Sequence, residues 1–354
     1  MPGIEETGRG SSLITPTRYH STPMDLVYVR QVMKFCDVVG FLVNSMGIAF
    51  NLLVVLLVLV KTPETMKSYA VLLFSLALSD SVNSLCQLMS IQQTIFSGES
   101  TTVIFRGLCK KLTPTLCYYY HAATCAFIPH SLLIVMMSFC YRFAILGSFQ
   151  PTVKIVAILN LVLCVPTLVN GVVYGSDKGQ DEYLRERLYS YHPEYGFNDT
   201  EFWGEFIVQG NDSTYSWRTI FTTIFVCCGS IPIYVTIIIM RYKTLKKLDD
   251  ESSNINLSQT VIKCHRQLVK ALTAQAMIPG IWTLAISFYL CDQFDIINNV
   301  WTQNFSFRVV EIVPMLSPLM SLFFVIPYKN AILDFLHWKR AKTDVLSATN
   351  SLWV

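Results

Sequence analysis

Seven long apolar stretches, parted by polar loops, occupy almost the whole chain: residues 35–60, 69–96, 112–140, 153–174, 216–240, 268–291 and 307–326. Each meets the ~17–25 residues that a helix needs to cross a hydrocarbon core about 30 Å thick. Lipid offers backbone amides no partner, so such stretches close their hydrogen bonds internally as helices. The pattern predicts an all-α, polytopic membrane protein: a seven-transmembrane helix bundle whose odd number of spans puts the termini on opposite sides. Composition agrees, since charged residues make up only 14% of the 354, against about 25% in soluble domains. A net charge of +3 and the lack of a long Lys/Arg run argue against a nucleic-acid partner.

The organisation follows from these spans: a polar N-terminal segment (1–34), the bundle (35–328) and a tail (329–354). The first segment lacks the charged start and short apolar run of a cleaved signal peptide, so the first span is expected to act as an uncleaved anchor. In the tail, Ile332, Leu333, Phe335 and Leu336 with basic flanks suit a short amphipathic helix on the inner membrane interface.

Two features orient the bundle. Asn198-Asp199-Thr200 and Asn211-Asp212-Ser213, between spans four and five, match the N-glycosylation sequon, which is used on the lumenal side. Lysines and arginines crowd the first, third and fifth loops and the tail, whereas the loop over 175–215 is acidic. The positive-inside rule then places the N-terminus outside and the C-terminus in the cytoplasm. Arg106, Lys110 and Lys111 in the second loop run against that trend.

Polar residues at membrane depth are costly and usually face the bundle interior. Asn51 in span one, Asp80 in span two and Ser317 before Pro318 in span seven are expected to form one interhelical polar cluster, acting either as helix–helix adhesive or as a state-dependent site. Arg142 closes span three; it is either a snorkelling cation or one whose partner changes when the bundle opens. Pro232, Pro279 and Pro318 should bend spans five, six and seven. Tyr118, His121, Tyr289 and Glu311 are the candidate ligand-binding residues, the aromatics being equally suited to an interface belt. The eleven cysteines include no C-x-x-C pair, so neither a metal nor another cofactor is expected. P-loop, G-x-S-x-G, H-E-x-x-H and dinucleotide signatures are absent, so no enzyme is expected.

Several segments together resemble the nematode serpentine chemoreceptors of class delta (Srd), over roughly 38–328. Pro63-Glu64-Thr65-Met66-Lys67-Ser68-Tyr69 resembles the family's P-x-x-M-K-S-Y, and Tyr141-Arg142 its Y-R after span three. Cys109 and Cys117 look like its paired cysteines, and His192-Pro193-Glu194-Tyr195 like its outer-loop segment. The run 265–276 with Pro279, then Ser317-Pro318 and Pro327-Tyr328, is similar to its spans six and seven. The resemblance implies a G-protein-coupled chemosensory receptor in the plasma membrane of sensory neurons. Its partners would be an external small-molecule ligand and a heterotrimeric G protein, with Tyr141, Arg142, Pro279, Ser317, Pro318, Pro327 and Tyr328 serving activation. A seven-span ligand-gated channel or transporter is the alternative.

The chain also departs from general rhodopsin-like receptors. No acid precedes Arg142, span seven has Ser317-Pro318 in place of Asn-Pro, and the long fourth loop holds no cysteine to receive Cys109. Were Cys109 and Cys117 on one helix, they would stand about 12 Å apart, too far to bridge.

Overall fold

A computed structural model of the chain describes residues 26–147, 149–197, 199–254, 259–297 and 299–335. Its helices are α1 (Leu26–Lys61), α2 (Lys67–Ser90), α3 (Pro114–Leu146), α4 (Val153–Gly175), α5 (Asp181–Tyr191), α6 (Thr200–Trp203), α7 (Trp217–Thr223), α8 (Gly229–Asn254), α9 (Gln259–Gln293) and α10 (Val300–Phe324). Local chemistry sets several starts. Thr113 and Thr152 cap α3 and α4 by accepting from Leu116 N and Ile155 N, and Pro114 occupies the first turn of α3, where its missing N–H costs nothing. Asn299 and Thr302 form a reciprocal capping box on α10.

The long helices pack as a bundle: α1 against α2 and α10, α2 against α3, α3 against α4 and α8, and α9 between α8 and α10. Among the described residues, six helices are long and apolar enough to cross a membrane, α7 and α8 counting as one; α9 is of crossing length and completes the set of seven. Burial divides them. α2 and α3 are mostly enclosed, whereas α4 exposes Ile158, Leu161, Val162 and Val172, as a helix facing hydrocarbon does.

α7 passes into α8 through a π-helical turn, Ile224–Cys228, four residues ahead of Pro232. The proline cannot donate the backbone bond its position requires, and a wider turn accommodates that loss.

One end of the bundle carries an antiparallel sheet ordered β1 (Gln92–Ser97), β2 (Ser100–Phe105), β3 (Ile207–Asn211). Gly98, at φ +65°, opens the two-residue turn between the first two strands, the place where a glycine is needed. Register aligns Thr94 with Val103 and Thr101 with Asn211, so period-2 alternation gives the sheet two faces. Ile95, Ile104 and Val208 share one, packed with Leu184 and Leu188 of α5 and with Tyr195. Thr94, Thr101 and Asn211 share the other, which faces the bundle.

Several boundaries differ from the sequence reading. The apolar run 69–96 is not one helix: α2 stops at Ser90 and Ile91 turns back with φ 35°. Alternating, β-branched residues then pair across the bundle end, and their hydrogen bonds decide the structure over mean hydropathy. The backbone of Gly107 runs so close to Met89 that a Cβ would stand 2.2 Å from the Met89 carbonyl. α1 starts at Leu26, inside the segment 1–34 read as a polar N-terminal segment. Residues 326–335 are helical; the remainder of the expected tail helix lies outside the described residues.

Candidate functional site

The sheet roofs a cavity, about 800 Å³ of space between protein atoms that includes its opening to solvent. Its walls come from α3, α4, the α7–α8 span, α9 and α10, and Trp282 of α9 forms part of its floor. Hydroxyls are frequent on the lining, and apolar side chains such as Ile128, Val226 and Phe307 fill the middle. His121 spans the wall at 4% exposure. Gln92 Oε1 can only accept, so His121 Nδ1 carries the proton toward it at 2.6 Å, and Nε2 accepts from the Tyr174 hydroxyl at 3.0 Å. Tyr289 also lines the cavity, its ring edge-on to Phe96 of the roof at 5.5 Å.

The roof is tied down on every side. A disulfide joins Cys109, in a 3-10 turn after β2, to Cys117, in the first turns of α3, with Cα atoms 5.3 Å apart. The two cysteines are not on one helix: the chain reverses at Leu112 and Thr113, which removes the separation calculated for a continuous helix. Arg106 gives Nε to both Asp37 oxygens at 2.9 Å, Nη1 to Gln93 Oε1 at 2.6 Å and Nη2 to Asn304 Oδ1 at 3.0 Å. This residue breaks the charge trend because it is a half-buried tie between α1, β1 and α10. Gln93 and Tyr195 both donate to Gln303 Oε1, extending the tie to the loop above. On the far side, Asp177 accepts from Ser216 and, at 2.7 Å, from Thr219 Oγ1.

The expected site residues separate into several places. His121 and Tyr289 reach the cavity; Tyr118 and Glu311 do not line it. The Tyr118 hydroxyl, fully buried, donates to Tyr174 O at 2.9 Å and accepts from Asn211 Nδ2 at 3.0 Å. Glu311, at 1% exposure, lies 2.7 Å from Arg308 Nη1 on the side of α10 that faces Gly40 of α1. The separation is that of an ion pair, although the approach is too oblique for a directed hydrogen bond. Arg308 Nη2 also donates to the Gln92 carbonyl at 3.1 Å. A Cβ at Gly40 would meet Arg308 Nη1 at 1.7 Å, so the absence of a side chain there is what admits the guanidinium. Arg308 was the missing partner, and its spacing three residues before Glu311 was the signal for it.

Asn211 does not present a free glycosylation acceptor in the fold. Its amide nitrogen donates to Tyr118, to the Asp177 carbonyl at 2.9 Å and to Asp177 Oδ2 at 3.3 Å, and the residue is 0% exposed. A glycan on that nitrogen has no room. Asn198 lies outside the described residues.

Asp80 and Ser317 come within hydrogen-bonding reach of each other, while Asn51 meets α10 about one turn away, at Pro314. Asn51 Nδ2 donates to Gly47 O at 2.9 Å and to Pro314 O at 2.8 Å. That second carbonyl is the one left without a donor by Pro318 four residues on, so Asn51 repairs the defect of α10 from α1. Asp80 accepts from Ser131 Oγ at 2.6 Å and shares a smaller cavity with Ser317, floored on the other side by Trp282. Trp282, Ile128 and Val310 border both cavities, and so separate the roofed one from the polar one.

At the end away from the sheet, Arg142 donates to the Tyr69 hydroxyl and stands 5.0 Å from that ring's centre. Tyr141 stacks on Tyr69 at 5.8 Å. Arg142 has no acidic partner among the described residues. The Tyr328 hydroxyl, fully buried, bonds Thr62 at 2.9 Å. Pro327 lies in the first turn of the helix over residues 326–335, and Pro279 falls within α9 with its side chain outside the described residues.

The family model described as "Serpentine type 7TM GPCR chemoreceptor Srd" matches residues 37–334. "Serpentine receptor class delta-3" of Caenorhabditis elegans is 38% identical over 315 residues, covering 88% of this chain and 91% of its own length. "Serpentine receptor class delta-1" of the same organism is 32% identical over 326 residues, covering 91% and 87%. Squid rhodopsin superposes with a TM-score of 0.55 at 13% identity, over 90% of this chain and 88% of that one; at that identity the likeness concerns the fold.

Proposed function

This chain belongs to the Srd family of serpentine seven-transmembrane chemoreceptors, and from that premise we propose that it is a G-protein-coupled chemosensory receptor whose sheet-roofed cavity receives a small molecule from outside. The family is one of multi-pass membrane receptors, not of enzymes. The observation that carries the reading is the stack of two cavities along the bundle axis, parted by Trp282. A ligand in the upper one touches α3, α9 and α10 together, and α3 ends in Arg142. The sheet end faces outside, the Arg142 end the cytoplasm, and the plasma membrane of sensory neurons is the place of action.

Arg142, held by a neutral phenol and not by a carboxylate, is more readily released than an arginine in a buried ion pair. A ligand that prefers the open arrangement shifts the population toward it, freeing Arg142 and Tyr141 for the G protein, while Pro279 of α9, Ser317 and Pro318 of α10, and Pro327 and Tyr328 of the helix that follows lie on the elements that rearrange. Asn51, Asp80 and Ser317 hold the closed state between them.

The test is a calcium response in cultured cells to a panel of small molecules, with and without a promiscuous G protein, after surface delivery is confirmed. A response that requires the G protein is expected. A ligand-evoked current that persists without it would replace the receptor reading with that of a channel.

A further inference from the structure

The chemistry of the roofed cavity limits what can occupy it. Among the described residues, no Asp, Glu, Lys or Arg lines it. Asp177 and Arg308, beside the lining, are turned into the fold: Asp177 accepts from Ser216, Thr219 and Asn211, and Arg308 is paired with Glu311. A carboxylate or ammonium ion brought in would lose its hydration with no counter-charge to replace it, a cost that usually excludes it.

Five polar atoms on the lining have no hydrogen-bond partner within the protein, although their residues are at least nine-tenths buried. They are the hydroxyls of Thr94, Thr101 and Thr222, the carbonyl oxygen of Asn211 and the indole nitrogen of Trp282. Buried polar groups are normally satisfied, so five around one cavity point to an occupant. Three of the five are grouped. Thr94, Thr101 and Asn211 sit on adjacent strands of the roof, Thr101 and Asn211 directly paired, while apolar Ile128, Val226 and Phe307 lie below.

Resting on the receptor reading above, we propose that the ligand is an uncharged, largely apolar molecule bearing a hydrogen-bonding oxygen, such as an alcohol, ketone or ester. Its oxygen lies against Thr94, Thr101 and Asn211, and its hydrocarbon body extends toward Trp282.

The test uses the full chain in lipid nanodiscs and a matched set sharing one eight-carbon body: 1-octanol, 2-octanone, octane, octanoate and octylammonium. Thermal unfolding reports binding without any G protein. Octanol and octanone are expected to raise the unfolding temperature, the two ions to leave it unchanged at equal concentration. Thr101→Val keeps the shape and removes the hydroxyl, and should weaken octanol binding about tenfold, the worth of roughly one hydrogen bond, with octane unaffected. Thr94→Val serves as the second variant should Thr101→Val fold poorly. Stabilisation by octanoate or octylammonium equal to that by octanol would overturn the proposal, and so would an octanol affinity unmoved by both variants or no stabilisation by either oxygenated neutral compound. Calcium responses to the same compounds keep the two readings apart: stabilisation without G-protein-dependent signalling retains the ligand class and removes the receptor.

Discussion

The two ends of this bundle are fastened in different ways. At the sheet end a disulfide, a three-stranded sheet, the Arg106 tie and the bond from Arg308 of α10 to the Gln92 carbonyl of β1 fix the elements to one another. At the other end the side-chain links between helices include Arg142 to Tyr69, Thr62 to Tyr328, and Arg241 to Thr273 at 3.1 Å, none of them a pairing of opposite charges. The contrast teaches how one fold can both recognise and respond. Recognition requires lining groups held in fixed positions, which the cross-linked end supplies. On the proposed receptor reading, response requires a region with two accessible arrangements, which contacts free of buried charge pairs permit.

The comparison is broken most severely by Arg308→Ala. Glu311 would then remain buried without its cation, a change that costs about 3–5 kcal/mol. Reduced surface delivery and a large fall in unfolding temperature are expected, with partial recovery in the double variant that adds Glu311→Gln. Next comes Cys109→Ser. Loss of a bridge with sequence separation 8 is worth about 2–3 kcal/mol in the chain-entropy account. Cys117→Ser should match it, and the double variant should cost no more than either single one; thermal unfolding of all three measures this. Neither change alters the Arg142 end, so activity per surface molecule should fall less than abundance does.

The smallest effect concerns pH. Burial pushes the Glu194 carboxyl up, but its hydrogen bonds, the His192 ring at 3.1 Å among them, outweigh that and leave it below its ordinary value. A carboxyl lowered in the folded state contributes stability that is complete above its unfolded value and is lost as pH falls through the folded one. Stability of the loop around Tyr195 should therefore hold from neutrality to about pH 5 and decline below about pH 4. Glu194→Gln should flatten that decline, as read from unfolding temperature against pH.

Much of the bundle was legible because apolar length is a direct consequence of the membrane. The runs at 153–174 and 307–326 match α4 and the inner part of α10 closely. The sheet was hidden because Ile95 and Phe96 extend an apolar run past Ser90. Yet Thr94, Ile95, Val103 and Ile104, flanking Ser97-Gly98-Glu99-Ser100, carry the β-branched residues and turn that mark a hairpin. His121 and Tyr289 were found because they combine polarity with depth. Thr94, Thr101 and Asn211 were not, because their meeting depends on strand register between segments about a hundred residues apart, which no local pattern encodes. Arg106 stood out only as a cation against the charge trend until packing brought Asp37 beside it, whereas the Arg308–Glu311 pair, three residues apart on α10, is local.

The division of labour between the two ends is tested most directly by comparing Thr101→Val and Arg142→Ala in one dose–response experiment. The readout is calcium in cells carrying the promiscuous G protein, at matched surface levels, with the strongest agonist of the panel. Thr101→Val should move the half-maximal concentration about tenfold upward and leave the maximum intact, while Arg142→Ala should abolish the maximum. Normal signalling by Arg142→Ala, or a lost maximum with no concentration shift in Thr101→Val, would contradict the account.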